Sequence, residues 1–251
     1  MTEQNRPKSE IVEAEIRIGS RSIHFSAQIT HQPVQPYEML PLFQNITDKV
    51  IEIGIDEVVA KGKQISCRSG CGACCSQLVP VSRAEAFALI GLVDAMPSTK
   101  QAEVRARFSQ SMEILHDVGI LDELDRAIID GDKDKLRAVG LAYFNLNLPC
   151  PFLENQSCSI HPDRPLSCRE FLVVSDPAFC AKPDPETIES VVLPKRVSAV
   201  LYAMCDPKNH IGKGFLPLIQ ILANATSLQN DQSPPEPAID LLNHFLKKLA
   251  G

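Results

Sequence analysis

The sequence predicts a mainly α (α+β) fold: a helical domain with a small N-terminal β-hairpin and two irregular cysteine-rich loops. Three observations lead there. Residues 11–29, IVEAEIRIGSRSIHFSAQI, alternate apolar and polar side chains on both sides of Gly19-Ser20. Several later stretches repeat apolar residues at spacings of three and four, the period of a helix with one buried face. Eight of the nine cysteines fall between such stretches, in segments whose glycines, prolines and polar residues suit loops.

Taken in order, the alternating stretch gives a hairpin with Ile16 and Ile18 on one arm and Ile23 and Phe25 on the other. Residues 37–61 predict a helix running into the first cysteine group. Ser82-Arg83-Ala84-Glu85 fits a capping box, in which serine and glutamate side chains satisfy each other's backbone N–H groups, and opens a helix to about Met96. A further helix carries Val104, Phe108, Met112 and Leu115, and shorter ones fill residues 121–146. The second cysteine group, LPCPFLENQSCSIHPDRPLSCREF, reads as loop; residues 194–205 and 210–226 then read as helices. Asn230–Pro237, NDQSPPEP, is a linker before a last helix with Ile239, Leu242, Phe245, Leu246 and Leu249 on one face. The expected organisation is a hairpin extension over residues 1–36, a cysteine-cluster metal-binding domain over 37–228, and a linker with a C-terminal amphipathic helix packing on that domain over 229–251.

Composition narrows the function. With 25 basic against 31 acidic residues and no basic run, neither a nucleic-acid footprint nor a membrane-binding patch is expected. The N-terminal MTEQNRPKSEIVEAEIRIG lacks a signal peptide's apolar run, and no stretch reaches the roughly 18 apolar residues of a membrane span. The expected compartment is therefore cytoplasmic, where thiols stay reduced. An odd number of cysteines in a chain long enough to bury its own core also argues against a disulfide framework.

The cysteines carry the chemistry. Cys67, Cys71, Cys74 and Cys75 lie within nine positions; Cys150, Cys158 and Cys168 follow after a long helical stretch, with Cys180 close behind. Two loops brought together by the fold make a metal site of soft thiolate donors, suited to zinc, copper(I) or an iron–sulfur cluster. Gly70 and Gly72 allow the tight turns this needs. Eight thiolates exceed the needs of one tetrahedral zinc. Either two metals bind, or a cluster takes four and the rest are structural or redox-active. In extended backbone Cys74 and Cys75 point to opposite sides, and one arrangement sends Cys74 to a metal with Cys67 and Cys71. Cys75 then serves a second metal, supports the first, or stays a reactive thiol. The spacing Cys67-x-x-x-Cys71-x-x-Cys74 matches that of radical S-adenosylmethionine enzymes, but Ala73 stands where those have an aromatic and no strand–helix succession follows. A thioredoxin-like site at Cys71–Cys74 lacks its strand context as well.

Together, CRSGCGACC and CPFLENQSCSIHPDRPLSCREF resemble the CxxxCxxCC cysteine-cluster family, the YkgJ-type zinc- or iron-chelating domain related to flagellin lysine N-methylases. Cys67, Cys71, Cys74 and Cys75 match its opening motif and Val79-Pro80-Val81-Ser82 the entry to its helix. Cys150-Pro151-Phe152-Leu153, Cys158-Ser159-Ile160, Arg164-Pro165, Cys168-Arg169 and Phe171 match the later blocks. Cys180, in AFCAKP, takes the place of an eighth cysteine without the usual Cys-Pro-Gly. The resemblance covers roughly residues 64–182 and implies metal binding through these eight cysteines. It also brings in S-adenosylmethionine, although the chain has no glycine-rich strand-to-helix turn for a nucleotide.

Four thiolates around zinc or a cubane cluster leave negative charge, which Arg164 and Arg169 would offset through hydrogen bonds to sulfur. Pro162 and Pro165 stiffen the loop, and Phe152, Leu153 and Phe171 form an apolar wall. His161, three residues past Cys158, suits packing or hydrogen bonding more than ligation. Cys205 reads as a core residue. His24, His31, His116, His210 and His244 form no pattern. The expected function is a cysteine-ligated metal-binding protein, with an iron–sulfur cluster favoured over zinc. The alternatives are a cluster-dependent enzyme (a protein lysine N-methylase or an oxidoreductase, acting on a protein substrate or partner) and a metal-handling protein.

Overall fold

In a computed structural model, which describes residues 9–182, 186–205 and 214–251, the alternating N-terminal stretch forms two antiparallel strands. β1 (Ser9–Ile18) and β2 (Arg21–Thr30) pair without a break from Ser9 opposite Thr30 to Ile18 opposite Arg21. Period-two alternation puts Ile16, Ile18, Ile23, Phe25 and Ile29 on one buried face. That face lies on α1 (Leu40–Ala60) and α9 (Ala238–Ala250), whose Phe43 and Phe245 rings stack 4.2 Å apart, both fully buried. α7 (Val197–Met204) adds Val197, Val200 and Leu201 to this core. β3 (Pro33–Val34) pairs with β8 (Glu236–Pro237), tying the two ends of the chain together.

A second core is built from α2 (Arg83–Asp94), α3 (Ser98–Asp117), α4 (Ile120–Asp130) and α5 (Lys133–Asn145). Its three-and-four spacing is visible in α3, where Val104, Phe108 and Leu115 are buried and Met112 packs against them. Both halves of the predicted capping box form: Ser82 Oγ accepts from Glu85 N–H at 3.1 Å, and the Glu85 carboxylate accepts from Ser82 N–H at 2.7 Å.

Two expectations are corrected. The stretch 210–226, expected to be a helix, begins outside the described residues together with His210. Its described part is β7 (Phe215–Pro217), paired with β4 (Pro80–Ser82), followed by a single helical turn at Leu218–Gln220. Leu216, Leu218, Ile219 and Ile221 are all buried, so the apolar run reflects burial on every side and not one helix face. The second cysteine segment also contains regular structure: a hairpin of β5 (Leu153–Glu154) and β6 (Ser157–Cys158), then the short helix α6 (Leu166–Glu170). α8 (Ala225–Asn230) follows β7. No described helix is long and apolar enough to cross a membrane.

Candidate metal centre

The first cysteine group is a succession of turns. Gly70 takes a φ of 80°, open to glycine but strained for other residues, and Cys71 N–H donates to the Arg68 carbonyl at 3.1 Å. Gly72 is needed for a different reason. A Cβ there would come 2.7 Å from the Leu153 side chain and 3.1 Å from the Gln156 carbonyl, so any larger residue would have to displace the Leu153 tip and crowd the β5–β6 hairpin. That hairpin closes through Asn155 and Gln156, both at positive φ (49° and 60°), the signature of a type I′ turn. Arg107 on α3 braces it, donating to Pro151 O at 2.8 Å and to Glu154 at 2.9 Å, with Lys100 also on Glu154.

Backbone bonds join the two cysteine groups. Cys150 N–H donates to the Cys75 carbonyl at 2.6 Å. Ser66 donates from N–H to Val173 O (2.9 Å) and from Oγ to Val174 O (3.0 Å), while Val173 N–H points at Cys67 Sγ, 3.4 Å away. α6, which carries Cys168, is fixed by a buried carboxylate at each end. Glu85 accepts from Leu166 N–H at its start (2.7 Å), and Glu170 at its end accepts from Ser198 N–H (3.0 Å) and Oγ (2.5 Å) at the start of α7. Ser167 Oγ and Tyr202 Oη both donate to Pro80 O, holding β4 against α6 and α7. In the sequence Glu85 shows itself only as a helix cap. Its second bond spans 81 residues, which no local pattern signals.

These contacts gather Cys67, Cys71, Cys74, Cys75, Cys150, Cys158, Cys168 and Cys180 around one cavity of about 260 Å³, walled by Phe152, Phe171 and Leu218 and without a carboxylate in its lining. Leu153 instead packs on Gly72. Cys205 lies elsewhere, in the first core. All nine cysteines are free thiols. Cys74 and Cys75 both face the cavity, because residues 73–76 form a turn and not the extended stretch that would part them.

Residues 66–186 match the CxxCxxCC family model, described as a "putative zinc- or iron-chelating domain". Comparison with curated proteins and with solved structures finds no match. The matched CxxCxxCC segment occupies just under half the chain and contains all eight cysteines that line the cavity.

Electrostatics in the CxxCxxCC domain show what a cation would relieve. Burial, followed by repulsion from neighbouring thiolates, pushes Cys150 up to about 12, Cys180 up to about 11, and Cys168 well above the ordinary thiol range. Cys67 and Cys158 are also raised, chiefly by burial. In the adjacent pair, a hydrogen bond from the Cys75 thiol lowers Cys74 to about 7 and raises Cys75. Thiols packed this densely ionise together only when positive charge replaces their protons. Among the described residues no three cysteine, histidine, aspartate or glutamate side chains already stand where they could hold a metal ion, so the thiols line a cavity without forming a closed ligand shell.

The two arginines separate. Arg164 lines the cavity, favours the thiolate forms of Cys74, Cys67 and Cys158, and keeps its Nε buried with no hydrogen-bond partner among the described residues. An unpaired donor beside soft sulfur donors fits an anionic metal–thiolate group. Arg169 directs its guanidinium to oxygen and not to sulfur: both Asp48 carboxylate oxygens at 3.1 Å, Arg164 O at 3.2 Å, and Pro162 O. It thereby shapes the turn that presents Arg164. His161 sits exposed at the cavity lining, its pKa lowered first by desolvation and then by Arg164 and Arg169.

Proposed function

We propose that this protein holds its metal through the eight cavity cysteines, with an iron–sulfur cluster as the form to test first and Arg164 balancing the charge of the thiolates. The supporting observation is selective: eight thiols from separate segments reach one cavity, while the ninth, Cys205, stays in an apolar core. A sulfur-only donor set is structural by default; bound iron–sulfur would add electron transfer. The chain's own part is to exclude water with Phe152 and Phe171, fix Cys168 through Glu85 and Glu170, and aim Arg164 at the sulfurs. The test is iron, zinc and acid-labile sulfide content, with an absorption spectrum, on protein purified without oxygen. Iron and sulfide in near-equal amounts support the cluster; tightly held zinc without sulfide replaces it with zinc–thiolate; metal-free protein defeats the proposal.

One observation favours a second, enzymatic reading. A groove of about 400 Å³, lined by Leu78, Arg137, Leu141 and Phe144, borders the thiol cavity, with Phe171 and Cys180 in both linings. An S-adenosylmethionine-using protein methylase or an oxidoreductase would seat its substrate in such a groove. Calorimetric binding of S-adenosylmethionine to the metal-loaded chain supports the methylase form, and absence of binding removes it.

A further inference from the structure

We infer that the groove beside the thiol cavity docks an extended segment of a partner protein, one that carries apolar side chains and at least one carboxylate and adds as a strand to the chain's edge at Ser190. The inference goes beyond the metal-binding reading and does not rest on it. It takes the groove named in the enzymatic reading and gives it an occupant of different charge.

The edge belongs to a short ladder beside the first cysteine loop. Val173 stands opposite Ser190 in an antiparallel bridge, flanked by Val174 N–H donating to Glu189 O at 2.9 Å and Val191 N–H donating to Leu172 O at 2.8 Å. Between two such bonds the facing residues form a non-hydrogen-bonded pair, whose own N–H and C=O groups point away from each other. On the Val173 side those groups are taken: its C=O accepts from Ser66 N–H, and its N–H points at Cys67 Sγ. On the Ser190 side they have no partner among the described residues. Ser190 is exposed and lines the groove together with Ile188, two residues earlier on the same face. An open strand edge beside a trough is the arrangement that accepts an added strand.

The trough sets what that strand must carry. Leu78, Leu141, Phe144, Phe171 and Ile188 line it, and Leu141 is 39% exposed, so an incoming apolar side chain meets an uncovered apolar floor. Arg137 and Lys182 are the charged residues of the lining among those described, both exposed and neither in an ion pair. In a chain of net charge −6, two unopposed cations on one apolar groove attract a carboxylate. They also repel a lysine, which separates this occupant from the substrate of a lysine methylase. An open groove with its cations in solvent suits a chain segment, whereas a small ligand needs most of its surface enclosed. Phe171 and Cys180 belong to both linings, so the docked segment lies against the thiol cavity.

The test selects from a random-peptide display library on the full chain as purified. The selected sequences are expected to place Asp or Glu beside Leu, Ile or Phe. A synthetic peptide of that consensus should bind about tenfold or more weakly to Arg137→Glu/Lys182→Glu and equally well to Lys247→Glu, which reverses an exposed cation on α9. Circular dichroism checks that the variants fold. Independently of any variant, Ser190 N–H should gain hydrogen-exchange protection when the peptide binds to the wild type. Selection of Lys- or Arg-rich sequences overturns the charge assignment and returns the groove to a lysine-bearing substrate. No selection, or binding that leaves either the charge reversal or Ser190 protection without effect, overturns docking at this edge. Metal and sulfide content, measured on the same sample, stands or falls separately.

Discussion

The two hydrophobic cores of this chain are closed by different means. The first, made by the hairpin, α1, α7 and α9, is sealed by apolar contact, with Phe43 stacked on Phe245 at its centre. The second, made by α2 to α5, borders the thiol loops, and Cys150 and Cys158 pack against it. An apolar face needs only another apolar face. A wall of thiols that repel one another once ionised needs a cation to finish it. The difference teaches that two adjacent parts of one chain can depend on solution conditions in opposite ways.

Metal removal breaks the comparison most sharply. A strong chelator should cost the second core on the order of 10 kcal/mol of metal-linked stability. Hydrogen exchange should then lose protection over residues 66–82 and 146–182 while β1, β2, α1 and α9 keep theirs. The converse change is Phe43→Ala, expected to cost about 3–5 kcal/mol in denaturant unfolding and to leave metal content per folded chain unchanged. Glu85→Gln sharpens the boundary between the cores. Its amide keeps one acceptor for Leu166 N–H but turns a donor toward Ser82 N–H, at a cost of about 1–3 kcal/mol. It should also speed chelator extraction of metal, measured against wild type at equal folded fraction.

The first core was the more legible in sequence, for a physical reason. Alternation in residues 11–29 and helical spacing in α9 are local signals, and tertiary packing reinforced them. The capping box at Ser82 to Glu85 was equally readable. β7 and α6 were not: each is only a few residues long and is held by partners remote in sequence, β4 for one and the Glu85 carboxylate for the other. At the site, the cysteines announced themselves by type and spacing, and their convergence on one cavity follows the two-loop arrangement the spacing suggested. The separate tasks of Arg164 and Arg169 did not show, because which arginine meets sulfur and which meets Asp48 depends on side-chain direction within a turn.

The pinning of α6 has a consequence for the order of assembly. Glu85 and Glu170 hold its two ends by hydrogen bonds that involve no sulfur, and Ser167 fixes its side. Cys168 and the Pro80–Ser82 strand therefore stand ready before any ion arrives. The hairpin bearing Cys158 is likewise braced by Arg107 and Lys100, whereas Cys71 to Cys75 lie in successive turns. On the metal-binding reading proposed above, an ion would meet Cys168 already in place, with the turns of Cys71 to Cys75 left to adjust around it.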